Sequence, residues 1–324
     1  MSFEVKNLVK SYGNKVVVDN LSFRMDKPGV YALLGTNGAG KTTSIRIILG
    51  MLQYDSGEVL WDDKPMNIAE RNVGYLAEER GLYPKYSLLD QLMYFAELKR
   101  VPKATALQRI HYWSGRLGLD EYIFPVKPEK GRKKTKSNRA DQLSKGNQQK
   151  IQLMAALLSD PELLVLDEPL SGLDPVNSDL FKDVIHEEMD KGKYIILSSH
   201  GMATIEEFTS DLTILNRGKV VLQGNLDEIK KSYGRINLMV KCDSEIAPLI
   251  EEAGLTVVEK LPSEYHLRVS GEEEANNFLR LLMERKVTIV RFELREPSLH
   301  EIFVEKVSAA EAETGEEAET DEKQ

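Results

Sequence analysis

The chain holds one cysteine in 324 residues, Cys242, so an intrachain disulfide framework is excluded and a reducing, cytoplasmic setting fits. Cys242 itself reads as a small strand residue. No apolar run approaches the roughly 18–20 residues that cross a bilayer, so no membrane-spanning segment is expected. The opening MSFEVKNLVKSYG mixes both charge signs and lacks an uninterrupted apolar stretch, which argues against a secretory signal. No internal repeat is visible either. What is present, 41% hydrophobic and 29% charged residues over 324 positions, suits a globular protein with room for two cores.

The net charge of −9 is unevenly spread. From Glu311 onward there are seven acidic residues against one lysine, in a segment without large apolar side chains. Residues 307–324 therefore read as an acidic tail that cannot bury enough surface to fold. Lys127–Arg139 holds seven basic residues and one glutamate. This basic loop, about 125–139, reads as a solvated connection, with anionic lipid or nucleic acid as the functional alternative.

The densest signal is GTNGAGKTT at Gly35–Thr43, which fits G-x-x-x-x-G-K-[ST] with Gly35, Gly40, Lys41 and Thr42 at the defining positions. It follows the apolar run Val30–Leu34 and precedes a segment carrying Ile45, Ile47, Ile48, Leu49 and Leu52 at helical spacing. Glycines let successive N–H groups of Asn37, Gly38, Ala39 and Thr43 converge on an anion, at the positive end of the following helix. Lys41 is expected to reach the β- and γ-phosphates of a nucleotide, and Thr42 to ligate Mg²⁺.

Around this loop the chain alternates between strand and helix. Strands are expected at 3–9 and 16–23 with a turn at Gly13-Asn14, then at Val59–Trp61, Val73–Leu76, Leu163–Leu166, Tyr194–Ser198 and Leu212–Asn216. Helical periodicity runs from about Leu88 to Leu119, after Ser144 to Leu158, and over 177–190 and 202–209. The fold class is α/β, a P-loop type of sheet with a helical subdomain at about 84–158. From Arg235 the order becomes β-α-β-β-α-β over about sixty residues, which suggests a small α+β ferredoxin-like domain over 235–306. Ser298 is expected to cap a last helix holding Leu299, Ile302 and Phe303.

Three further segments carry chemistry. LLVLDEP places Asp167 and Glu168 at the carboxyl end of a buried strand, the edge where α/β sheets bind ligands. Asp167 is expected to hold Mg²⁺, and Glu168 to orient and deprotonate the attacking water. LSKGNQ opens a helix, so Ser144 and Gly146 offer hydroxyl and N–H groups to an anion. YIILSSH brings His200 to the same sheet edge.

On these motifs the chain resembles the ATP-binding subunits of ABC transporters over roughly residues 1–225. Walker A lies at 35–42, the signature at 143–147, Walker B at 163–168, the D-loop at Ser171–Asp174 and the switch histidine at His200. The resemblance implies an ATPase acting as a sandwich dimer, each ATP held between the phosphate loop of one subunit and the signature of the other. It implies that Tyr12 stacks on adenine, that Ser144, Gly146 and Asn147 contact nucleotide in trans, that His200 clamps the γ-phosphate in cis, and that Asp174 communicates between sites. It further implies separate membrane permease chains as partners, a second copy or homologous subunit, a peripheral position on the cytoplasmic face of the membrane, and no nucleic acid. Two departures stand out: LSGGQ is written LSKGN, and Glu78 replaces the usual glutamine after VGYLA. A carboxylate at Glu78 is still able to ligand Mg²⁺. YLAEERGLYP, together with the ending Glu296–Phe303, is similar to prokaryotic export-type ATPases related to sodium exporters, which carry an extra C-terminal domain.

Two other readings compete. A soluble regulatory or ribosome-associated ABC ATPase would use the basic loop on RNA, but such proteins usually carry two cassettes in one chain. A degenerate cassette that binds ATP without turnover is at odds with intact Lys41, Asp167, Glu168 and His200. Co-purification from detergent-solubilised membranes separates export from the RNA reading.

Overall fold

The residues described by the computed structural model are 1–79, 81–125, 137–207 and 209–308. The basic segment (all but Pro125 and 137–139) and the acidic tail (all but 307–308) lie outside them. The chain divides into two compact units, Met1–Gln223 and a second that begins at Gly224.

In the first unit, β1 (Phe3–Tyr12) and β2 (Lys15–Met25) form an antiparallel hairpin closed by Gly13-Asn14, with Tyr12 opposite Lys15. There follow β3 (Gly29–Gly35), α1 (Lys41–Ile48), β4 (Ser56–Trp61), the two-residue β5 (Lys64–Pro65) and β6 (Val73–Leu76). The helical insertion holds α2 (Leu88–Leu98), α3 (Lys103–Leu117), the short α4 (Asp120–Ile123) and α5 (Lys145–Leu157). Then come β7 (Leu163–Asp167), α6 (Pro175–Asp190), β8 (Tyr194–Ser199), α7 (Met202–Ile205), β9 (Asp211–Asn216) and β10 (Lys219–Asn225).

These strands make one sheet in the order β5-β4-β1-β2-β10-β9-β3-β8-β7-β6. From β9 to β6 neighbours run parallel, so their carboxyl ends share one edge. β3, β7 and β8 are buried almost throughout, as parallel strands covered on both faces must be, which is why their sequences are apolar runs rather than alternations. Phe3, Phe23, Trp61, Ile45 and Ile48 fill the core beneath the phosphate loop. In the insertion, Ser87 caps α2 by accepting from Asp90 N at 3.2 Å, and Gly118 ends α3 in the left-handed region. The helix expected over 202–209 stops at Ile205, because Thr209, Ser210 and Asp211 favour turns and β9 begins there.

The second unit opens with α8 (Leu226–Tyr233), an element without apolar periodicity long enough to read from sequence. Its signals are local: Asn225 accepts from Asp227 N and Glu228 N, with acids in the first turn and lysines in the last. Then follow β11 (Asn237–Cys242), α9 (Ala247–Glu252), β12 (Thr256–Leu261), β13 (Glu264–Arg268), α10 (Glu272–Glu284) and β14 (Ile289–Arg295). The sheet order is β12-β13-β11-β14, all neighbours antiparallel, with the helices contributing Ile250, Phe278 and Leu282 to its core. A last helix starts at Leu299. Ser298 Oγ accepts from Glu301 N at 3.2 Å while the Glu301 carboxylate accepts from Ser298 N at 2.7 Å, a capping box.

Candidate active site

The loop between β3 and α1 is shaped by close backbone approach. A Cβ on Gly35 would lie 2.2 Å from the Leu215 carbonyl oxygen of β9, and one on Gly40 would lie 2.5 Å from that of Val17. Both glycines have positive φ, 147° and 106°, so no L side chain fits either the space or the conformation. The result is a cleft of about 220 Å³ whose lining includes Asn37, Gly38, Ala39, Gly40, Lys41, Thr42, Thr43, Glu78 and Glu168. Every expected phosphate-loop residue but Gly35 lines it directly, and Gly35 underlies it through Lys41.

Lys41 is buried at 6% exposure. Its Nζ donates to the carbonyls of Gly35 at 2.7 Å and Thr36 at 3.2 Å and lies 3.3 Å from Glu168 Oε1. The ammonium is thus held at the cleft floor by its own loop. Thr42 Oγ1 donates to Asp167 Oδ1 at 3.3 Å. Asp167 is fully buried and also accepts from Ser198 Oγ at 2.5 Å, whereas its Oδ2 has no partner. Burial pushes the Asp167 carboxyl above its ordinary range, and the Glu168 charge adds to that; the Ser198 and Thr42 hydrogen bonds oppose it.

Glu168 follows immediately with φ of 51°, an unusual conformation for a non-glycine residue. Three neighbouring residues hold it there. Its N–H donates to Ser198 Oγ at 3.0 Å, Oε1 faces Lys41, and Oε2 lies 2.8 Å from His200 Nδ1 and accepts from the His200 N–H at 3.3 Å. His200 is half exposed, so its imidazole faces both the carboxylate and solvent. Ser198 is the residue that sequence reading missed as a participant: one buried hydroxyl on β8 joins Asp167 to the backbone of Glu168. The only signal for it was a serine pair ending an apolar strand.

The donor set fits a magnesium nucleotide. Hard oxygen atoms from Thr42 and Asp167 sit beside the cleft, with Glu78 on its wall and an orphaned buried carboxylate oxygen at Asp167. Among the described residues no group of three or more His, Cys, Asp or Glu is arranged to hold a metal alone.

The remaining expected residues lie elsewhere. Tyr12 is exposed at the end of β1 with Lys10 Nζ 5.2 Å from its ring centre, and it does not line the cleft. Ser144 caps α5 by accepting from Asn147 N at 3.2 Å, and Asp174 caps α6 by accepting from Asn177 N at 3.0 Å. The Asn177 N–H hydrogen bond holds the Asp174 carboxyl below its ordinary range. Ser144, Gly146, Asn147 and Asp174 likewise do not line the cleft of their own chain. Near the segment after Glu78, a second cavity of about 450 Å³ is lined by Tyr83, Tyr86, Asp90, Gln91 and Tyr94.

Comparison with known proteins follows the same division. The family model "ABC transporter" matches residues 18–171, and "ATP-binding protein DrrA1-3-like, C-terminal domain" matches 224–307. The chain is 40% identical over 306 residues to the uncharacterized ABC transporter ATP-binding protein YhaQ of Bacillus subtilis, covering 94% of this chain and 98% of that protein. It is 29% identical over 276 residues to the Nod factor export ATP-binding protein I of a Bradyrhizobium strain, covering 84% of each. A solved structure described as the ATP binding subunit of an ABC transporter superposes with a TM-score of 0.62 at 28% identity, covering 72% of this chain and 93% of that one.

Proposed function

The chain belongs to the ABC transporter ATP-binding proteins, a family that hydrolyses ATP to drive transport, and from that premise we propose an exporter motor working as a nucleotide-sandwich dimer on separate membrane permease chains. The observation that carries the reading is Glu168, held in a left-handed conformation between Lys41 and His200 at the mouth of the phosphate loop.

In this mechanism the loop N–H groups and Lys41 bind the β- and γ-phosphates of ATP, and Tyr12 stacks on the adenine. Thr42 and Asp167, with Glu78 beside them, would hold Mg²⁺, which would supply charge neutralisation at the phosphates. Glu168 takes the proton of the attacking water. The Ser198 hydroxyl keeps the Glu168 backbone in place, and His200 keeps its carboxylate oriented while facing the γ-phosphate. Ser144, Gly146 and Asn147 of the opposing subunit close the site, and Asp174 links the two sites. Two ATP close the dimer; hydrolysis and phosphate release reopen it.

Export, rather than import, is supported by the likeness to a Nod factor export protein that extends over both units. No helix of the described residues is long and apolar enough to cross a membrane, so on this reading separate permease chains carry the pathway and the chain sits at the cytoplasmic face. The aromatic cavity around Tyr83, Tyr86 and Tyr94 is the seat assigned to the permease. Glu168→Gln is expected to retain ATP binding, to lower turnover by about 10²–10⁴-fold, and to accumulate closed dimers with ATP. Unchanged hydrolysis in that variant would remove Glu168 from the mechanism.

A further inference from the structure

Tyr12 is 53% exposed, and an exposed ring that stacks on a ligand loses conformational entropy unless it is held beforehand. Two neighbours hold it. Lys10 lies two residues earlier on the same face of β1, and its side chain is 14% exposed. Its Nζ stands over the Tyr12 ring, 5.2 Å from the centroid, and 3.5 Å from Asp55 Oδ1. Asp55 directly precedes β4 and grips β1 on both sides of Lys10. Its N–H donates to the Val9 carbonyl at 2.9 Å, and its Oδ2 accepts from Ser11 N at 2.6 Å. The Ser11 hydrogen bond, with Lys10 beside it, holds the Asp55 carboxyl below its ordinary range, so the anion facing the ammonium persists.

This end of the hairpin needs such an anchor. Lys10 pairs with Val18 and Ser11 with Val16, so Val17 is an extra residue on β2, a β-bulge. Val17 lines the phosphate cleft, and its carbonyl oxygen is the atom that a Cβ on Gly40 would meet at 2.5 Å. Tyr12 stands opposite Lys15, two residues from Val17 on that strand, so the ring lies next to the cleft wall. The ladder interrupted on the β2 side is made good on the β4 side by Asp55. With an ammonium over one face of the ring, the opposite face is left for a planar base. The cation also draws the ring's π electrons toward itself, which favours stacking with an electron-rich purine.

We propose that Asp55 and Lys10 are positioning residues for the nucleobase: Asp55 holds the Lys10 ammonium over one face of Tyr12, so that the opposite face is set for the adenine of ATP. The inference rests on the reading of Tyr12 as the adenine stack and adds what fixes that ring. Neither Lys10 nor Asp55 lines the phosphate cleft, so their effect falls on the base and not on the phosphates.

The test titrates the full-length protein by calorimetry without Mg²⁺, where turnover is stopped, using ATP and the base-free probe inorganic tripolyphosphate. Tyr12→Ala is expected to raise the Kd for ATP by about tenfold or more, the loss of one base–aromatic stack. Lys10→Met keeps the aliphatic stem and removes the charge, and Asp55→Asn removes the anion. Each is expected to raise the Kd for ATP by about threefold or more, while Lys10→Arg, which keeps a cation over the ring, stays within about 1.5-fold of the parent. In the Tyr12→Ala background, Lys10→Met is expected to add less than about 1.5-fold, because its effect passes through the ring. Tripolyphosphate binding should hold in every variant. ATP affinity unchanged in Tyr12→Ala overturns the adenine stack and the proposal together. A weakened Tyr12→Ala with Lys10→Met and Asp55→Asn at parent affinity overturns the positioning and leaves the stack standing. A Lys10→Met effect that persists without Tyr12 also overturns it, and assigns Lys10 to direct contact with the nucleotide. Loss of tripolyphosphate binding alongside ATP overturns it too, and confines the two residues to the shape of the hairpin.

Discussion

The two units bury different things. Beneath the carboxyl edge of its sheet the first unit buries Lys41, Asp167, Glu168 and Ser198, while among the described residues of the second the one buried polar side chain is Asn237. The second unit carries exposed ion pairs, as where Lys260 Nζ lies 3.1 Å from Glu245 Oε1. Burying a charge costs several kcal/mol unless it is paired, so a fold retains one where chemistry requires it. By that measure the first unit is built for reaction and the second for packing.

Three measurements sharpen the contrast. The largest effect is expected in the apolar core of the second unit, where Phe278→Ala costs about 3–5 kcal/mol of stability. Chemical denaturation reads that loss. ATP affinity measured on the folded fraction should change little, because Phe278 packs in the second unit's core alone. A lost ATP site in that variant would break the division between units.

Ser198→Ala is expected to cost about 1–3 kcal/mol, because the buried hydroxyl serves both Asp167 and Glu168 N, and its loss leaves Asp167 with Thr42 alone and takes the Ser198 acceptor from Glu168 N. The readout that separates positioning from mere stability is kinetic: kcat falls while KM for ATP holds, and Ser198→Thr restores part of the rate. A fall in stability with kcat intact would confine Ser198 to structure.

The smallest effect has the opposite sign. Asp167→Asn removes a buried carboxylate and is expected to raise stability by about 1 kcal/mol while abolishing hydrolysis. The pH dependence follows from the direction of the shift. A carboxyl raised in the folded state binds a proton there that the unfolded chain has already released. The parent therefore loses stability as pH rises from the ordinary carboxylate range through the raised value, and the Asn variant lacks that loss. Parallel pH–stability curves for the two proteins would show that Asp167 is not strained by burial.

Elements with long apolar runs or strong punctuation were legible in advance. The apolar strand before Gly35, the helix after Lys41, the cap at Ser298 and the order of strands beyond Arg235 all lie within a few residues of their expected places. The misses have a common cause. α8 is short and polar, held by Asn225 and its terminal charges rather than by a buried face, so apolar periodicity could not find it. α7 ends early because turn-forming residues outweighed a short apolar pattern. Ser198 escaped because a serine at a strand end becomes informative when a parallel neighbour places Asp167 beside it.

The chain's linear order alone determined the chemistry available: glycines at 35 and 40, the lysine after them, the paired carboxylates and the histidine are local patterns tied to backbone shape and charge. Which of those groups meet was decided by the sheet. Parallel pairing of β7 with β8 and β8 with β3 brings Asp167, Ser198 and the loop after Gly35 to one edge, although they stand as far as 163 residues apart. Contacts of that separation depend on register and packing, which no local run of residues encodes, whereas a turn or a cap is complete within a few residues of itself.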